Sequence, residues 1–343
     1  MKKMEEIMDF DAIMTEITSG LTDDPEKDIK YLMEQSEKYK DHEMNKEILR
    51  AIGRLIAQRI PEEKMKELNN LLDKDMTGHK AVLEEVDFCI YKKDFEKALS
   101  LLNPLIEKTK RMFVDDSKSE YHNFEEPFEV NLYKFLMKPE KDIRPASFPF
   151  TEVYIRQAGI LFELGRHEEA IASCEKVLKW NPMHAGAMFE LMENKKMLGD
   201  MDSYLHLTQE AFKKVFRSGD LAHCYRNMAY RFVEHELYRE AMGCLLISLQ
   251  FEQNQVAQSE LFYIQSKAGS KIKPLTEKQF GTISKKYGFP VGPDQDVIGL
   301  AYALGKVCLE NNDYEMTRYY WTILNNLVHD EDLTKMMDML PKE

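Results

Sequence analysis

The residues of this chain that could ligate a metal, attack an electrophile or shuttle a proton are nine histidines, five cysteines and many carboxylates. A zinc hydrolase places a pair of histidines one helical turn apart with a glutamate between them, because that spacing turns both imidazoles to one side of a helix. No pair of histidines here has that spacing, so no metal site is expected. Cys89, Cys174, Cys224, Cys244 and Cys308 are odd in number and never form CxxC, which leaves neither a disulfide framework nor a zinc knuckle. They read instead as small apolar core residues. A cysteine nucleophile needs a thiolate beside a histidine, and His223-Cys224 is the adjacency to weigh. Neighbours on one helix point about 100° apart, so these are not expected to form a dyad. Paired carboxylates such as Glu125-Glu126 and Glu168-Glu169 could do acid-base work, yet in a chain this acidic such pairs read as solvated surface. Neither a GxxxxGK loop nor a GxGxxG turn is present. The expectation is a non-enzymatic protein with no cofactor and no catalytic residue to name.

The elements that would have to position any site are helices. Over 343 residues there are only 15 glycines and 12 prolines, too few turn formers for a sandwich or a barrel. Hydrophobic residues at 43% can fill a core despite 31% charged residues. Lys plus Arg number 47 against 60 Asp plus Glu, and a net charge of -13 opposes the counterion release that drives binding to phosphate backbones, so no nucleic-acid partner is expected. No run of about eighteen uncharged apolar residues is present, so no membrane span is expected. The opening Met1-Lys2-Lys3, followed by Glu5, Glu6, Asp9 and Asp11, lacks the apolar run of a signal peptide, and with the unpaired cysteines this gives a cytoplasmic expectation.

A period in the thirties organises the middle of the chain. Residues 151–184 read as two amphipathic helices broken at Gly165-Arg166 and stopped at Asn181-Pro182, where proline cannot continue a helix. Ala158 and Ala170 are small enough to let the helices approach closely, while Tyr154, Leu161, Cys174, Val177 and Leu178 recur at helical spacing and would face the seam. With Tyr154, Gln157-Ala158, Leu161, Ala170-x3-Cys174 and Pro182 in the signature places, this stretch resembles the tetratricopeptide repeat, although Gln157, Leu161 and Cys174 replace the usual leucine and aromatics. Residues 222–255 give a second copy through Tyr225, Met228-Ala229, Phe232, Ala241 and Leu245. Between them 185–218 keeps the period and the Gly199-Asp200 turn, but Tyr204 stands where alanine is usual, so that pair is expected to splay or to pack differently. Weaker copies lie at 79–112, around Lys93-Asp94 and Ala98, and at 298–331, around Asn312-Asp313 and Trp321 with Gly305 in a small-residue place.

The remaining regions break the period. Residues 1–78 read as helices without a repeat, with starts at Asp24-Pro25 and Ile60-Pro61. Residues 113–150 carry Asp115, Asp116, Glu120, Glu125, Glu126 and Glu129 and the prolines 127, 139, 145 and 149, an acidic insertion expected to be loop with at most one short helix near Val130 to Met137 and no strand. Residues 256–297 read as an irregular helical connection, with a short helix opened by the capping box Thr276-x-x-Gln279. Residues 298–343 hold the last repeat and, over 331–340, a capping helix. The predicted architecture is an all-α, right-handed solenoid of tetratricopeptide-like repeats with extra N-terminal helices, with the strongest repeats within 151–255.

The resemblance implies a fold whose first helices line a concave groove that binds an extended peptide or a partner helix. Carried onto this chain, the groove places are Phe189, Glu193, Lys196, Arg226, Tyr230, Tyr302 and Lys306. The basic and asparagine set with which some relatives clamp a C-terminal carboxylate is not reproduced, since Ile155 and Gly159 occupy two of its places. The expectation is a cytoplasmic protein-interaction module or scaffold with a protein or peptide ligand. The alternatives are a peptide-responsive regulator, resembling the phosphatase-like repeat sensors and acting through its N-terminal helices, and a self-assembling structural solenoid that would be a homo-oligomer. The insertion, by its charge, is a candidate plug against Lys196, Arg226 and Lys306.

Overall fold

The computed structural model describes residues 2–22, 24–42, 44–57, 78–109, 113–115, 117–146, 148–269 and 272–341. The chain divides into two compact units, Met1–Val82 and Leu83–Glu343. The first holds helices α1 (Lys2–Ser19), α2 (Pro25–Lys38) and α3 (Asn45–Ala57). Ile13, Ile17, Leu32, Ile48 and Ile52 are buried between them. Proline opens α2 where its missing N–H costs nothing, and buried Asp28 accepts from the Thr22 backbone and hydroxyl at 2.6 and 2.9 Å. The expected helix start at Ile60-Pro61 lies outside the described residues.

The second unit is built from helical hairpins. Helix α4 (Gly78–Tyr91), which begins before the boundary, leads into α5 (Phe95–Thr109); α7 (Phe150–Glu163) pairs with α8 (His167–Trp180), α9 (Ala185–Met197) with α10 (Met201–Phe212), α11 (Ser218–Glu234) with α12 (Tyr238–Phe251), and α15 (Gln295–Glu310) with α16 (Tyr314–Val328). The same turn ends the first helix of every hairpin. A residue with positive φ closes it, Lys93, Gly165, Gly199, Glu236 or Asn312. The next backbone N–H then reaches back to the carbonyl five residues earlier: Asp94 to Cys89, Arg166 to Leu161, Asp200 to Lys195, Leu237 to Phe232 and Asp313 to Cys308, all at 2.8–2.9 Å. This is the Schellman arrangement, which satisfies carbonyls the helix end leaves bare. Its recurrence at Lys93, Glu236 and Asn312 shows the repeat where side-chain similarity is weak.

Packing follows the small residues. Ala158 and Cys174 are fully buried between α7 and α8, as are Ala229, Ala241 and Cys244 between α11 and α12. The α9–α10 pair is more open, because the fully buried Tyr204 fills the place a smaller residue takes in its neighbours. Helix α13 (Gln255–Ala268) stacks on α12, and α14 (Glu277–Tyr287) touches α12 through Phe280 over Gly243. The capping box of α14 forms, with Thr276 Oγ1 accepting from Gln279 N at 3.3 Å and Gln279 Oε1 from Thr276 N at 3.0 Å. Helix α17 (Glu331–Asp338) buries Leu333 against the last hairpin.

The insertion corrects the sequence expectation. Strands β1 (Ser119–His122) and β2 (Asp142–Pro145) pair in parallel around helix α6 (Pro127–Met137). Strands of only four residues carry too short a pattern to be read as such. Its acids differ in burial: Glu129 is buried, Glu126 is half-buried and pairs with Arg217, while Glu125, 3.3 Å from His184 Nε2, and Asp115 are exposed. Phe128 and Leu132 are fully buried in the main core, where Phe128 meets Phe216 at 4.9 Å and Tyr320 at 6.2 Å between ring centroids.

Candidate functional site

Helices α9, α11 and α13 are first helices of successive units, and residues one repeat period apart on them, about 34 positions, meet side by side. Phe189 stacks on His223 with centroids 4.0 Å apart and planes 22° apart. The Lys196 ammonium stands 4.9 Å above the Tyr230 ring while also pairing with Glu193. Tyr230 in turn packs edge-on to Tyr204 at 5.9 Å. Arg226 donates to Glu252 at 2.6 Å and to Ser248 at 3.4 Å, and one period beyond it lies Glu260.

Burial sets the charge states. His223 is pushed down to about 4 by burial first and then by Arg226, so it is neutral at pH 7. Burial raises the Glu260 carboxyl, opposed by the nearby Arg226 and Lys196. Its Oε2 is buried and has no hydrogen-bond partner. A buried acceptor left unpaired costs on the order of 1–3 kcal/mol, so this atom is poised to gain from an incoming donor.

One of these hairpins matches a known repeat pattern. The family model of the tetratricopeptide repeat covers residues 151–184, the α7–α8 hairpin. The chain is a tetratricopeptide-like repeat protein. Repeats of this family are protein-interaction repeats, and the all-α hairpin array around the matched segment is their architecture. No curated protein matches the chain.

In this repeat protein, Phe189, Glu193, Lys196, Arg226 and Tyr230 come together. Tyr302 and Lys306 stand apart on α15: Tyr302 is half exposed, its carbonyl accepting from Trp321 Nε1 at 3.5 Å, and Lys306 has a long 3.9 Å pair with Glu310. Among the described residues neither shares a hydrogen bond, ion pair or ring contact with the cluster. The plug expectation also fails on partners, since Lys196, Arg226 and Lys306 pair with Glu193, Glu252 and Glu310, none of them in the insertion. Sequence reading missed Glu252 and Glu260 and weighed His223 only as a neighbour of Cys224. Extending the period one step past Arg226 would have found Glu260, but 256–297 reads as a break in the array because Gly269, Pro274 and Gly288 interrupt it.

The His223-Cys224 pair is not a nucleophile. Cys224 is fully buried, and burial lifts its thiol well above the ordinary value, while the imidazole is turned onto Phe189.

Proposed function

We propose that this chain is a non-enzymatic interaction module that binds a peptide or partner helix along the face formed by α9, α11 and α13. The observation that carries this reading is the unpartnered Glu260 Oε2 within a row of side chains already held in place. The Glu193–Lys196 and Arg226–Glu252 pairs orient the polar groups, and the half-buried His223 and Tyr230, the first stacked on buried Phe189, offer apolar area that is rigid before binding. Preorganised aromatics with one unmet acceptor suit a ligand that brings a hydrogen-bond donor, such as a lysine, an arginine or a backbone amide. A cytoplasmic scaffold role is supported by the free state of all five cysteines. No helix among the described residues is long and apolar enough to cross a membrane. Self-assembly is the second reading, favoured by Val256, Phe262 and Tyr263, which leave α13 with exposed apolar surface.

Panning a random-peptide library against the wild type and against a Glu260→Gln, Tyr230→Leu variant of equal thermal midpoint tests the face. Peptides retained by the wild type and lost by the variant are expected. Equal retention places the site elsewhere, and a mass in solution that rises with protein concentration without any selected peptide favours self-assembly.

A further inference from the structure

The insertion is acidic only in its first half. Its second half carries Lys134, Lys138, Lys141 and Arg144 against Glu140 and Asp142. All four cations line one cleft of about 710 Å3 between the end of α6 and β2, where Asp142 is the carboxylate in the wall. The insertion's ion pairs with the repeats are made by Glu125 with His184 and Glu126 with Arg217, and among the described residues none of these four cations is in an ion pair. Lys134 and Lys138 sit near the C-terminus of α6, where the helix dipole favours positive charge. That accounts for two of the four. Lys141 and Arg144 belong to the loop and strand opposite, and like charges gathered without counter-ions repel unless an anion joins them.

A second observation lies next door. Lys134, Ile143 and Arg144 also line a recess of about 240 Å3 walled by Phe124, Val130 and His122. His122 is 6% exposed and stacks on Phe124 at 5.0 Å and 20°. Its Nδ1 lies 3.2 Å from the Trp180 carbonyl, which fixes the proton there. Its Nε2, although 3.3 Å from Glu120 Oε1, forms no hydrogen bond. With the proton on Nδ1, Nε2 is an acceptor facing a carboxylate, and a hydroxyl or amine on a bound organic group would supply the donor it lacks.

We propose that this two-part cleft binds a phosphate monoester, with the phosphoryl group among Lys134, Lys138, Lys141 and Arg144 and the organic body in the recess beside His122 and Phe124. Four cations against one carboxylate leave more positive charge than a carboxylate ligand needs, whereas a phosphoryl dianion offers three acceptor oxygens to Lys and Arg donors. The recess is the more enclosed part and the phosphoryl cleft is open to solvent, so the organic body rather than the phosphate would be sheltered from water.

Titration calorimetry on the full chain with inorganic phosphate and phenyl phosphate tests both parts. Phenyl phosphate is expected to bind about ten-fold more tightly than inorganic phosphate, and binding should weaken as salt rises. A Lys134→Gln, Arg144→Gln variant, altered at exposed and unpaired side chains, should keep its thermal midpoint and bind phenyl phosphate roughly ten-fold more weakly. Nitrogen NMR of labelled histidine should show the His122 resonances move with phenyl phosphate, a readout that needs no variant. Adenosine monophosphate and a phosphotyrosine peptide separate the sources: binding of the first assigns a free organic phosphate, and of the second a modified protein. Phenyl phosphate bound no better than inorganic phosphate, bound equally by the double variant, or leaving His122 unmoved would overturn the proposal.

Discussion

Glu129 Oε2 stands 2.9 Å from Asn181 Nδ2, and this hydrogen bond between buried side chains joins the insertion to the turn that closes the 151–184 repeat. The same oxygen accepts from the Glu125 and Glu126 backbones at 2.6 and 3.2 Å. Along α6, Phe128 N donates to the Tyr319 hydroxyl oxygen at 3.3 Å, and Asn131 Nδ2 donates to the Tyr320 hydroxyl oxygen at 3.1 Å. The insertion therefore ties an early repeat to the last one.

Removing Glu129 leaves two backbone N–H groups and the Asn181 amide without their acceptor. Glu129→Ala is expected to cost about 2–4 kcal/mol, and Glu129→Gln less, because one acceptor oxygen survives. Urea unfolding of the three proteins measures this, and equal midpoints would show that the insertion is not a brace.

The depressed His223 gives a pH dependence with a definite sign. Its folded value of about 4 lies below the ordinary 6.5, so between these the unfolded chain binds more protons. Its contribution to stability is present above pH 6.5 and is lost as pH falls toward 4, by up to about 3 kcal/mol. Glu129 and Glu260, raised by burial, act in the opposite sense: their contribution is present below the unfolded carboxyl value of 4.5 and is lost as pH rises through the raised folded value. Comparing the wild type with His223→Gln isolates the histidine. The variant should lose less stability between pH 6.5 and 4, and parallel curves would remove His223 as the cause.

Two glycines with the same local context should respond with opposite signs. A Cβ on Gly305 would overlap the buried Trp321 indole, while one on Gly159 meets nothing within 4 Å. Gly305→Ala is expected to destabilise by about 2–3 kcal/mol through overpacking, and Gly159→Ala to stabilise by about 0.5–1 kcal/mol through helix propensity. Thermal unfolding decides, and stabilisation by both would mean that Trp321 does not pack on Gly305.

Thiol accessibility offers a further check. Cys89, Cys174, Cys224 and Cys244 are buried and Cys308 is half-buried, and burial pushes the Cys174 thiol up to about 12. Native-state maleimide labelling followed by peptide mass spectrometry should modify Cys308 first. Rapid labelling of Cys224 would contradict its burial in the core on α11.

Much of the array was legible. Ala158, Ala170 and Ala241 mark the seams because only small side chains let helices approach closely, and Gly165 and Gly199 mark turns because positive φ suits glycine. Gly305 reads as a small-residue place for the same reason, although its partner Trp321 is fixed only by packing. The capping box at Thr276 and Gln279 is local chemistry and therefore readable. Phe189, Lys196, Arg226 and Tyr230 could be placed on first helices because a fixed period converts position into facing.

What the sequence by itself determined is what short range and periodicity control: helices, their turns and the stacking of hairpins. What only the tertiary structure decided is where polar groups far apart in the chain find one another. Glu129 with Asn181, Glu126 with Arg217 and Tyr319, and the unpartnered Oε2 of Glu260 all depend on which helices come to lie together. A carboxylate on paper has no preferred partner, since its charge is satisfied equally well by water. Burial removes the water, and the fold then selects the neighbour.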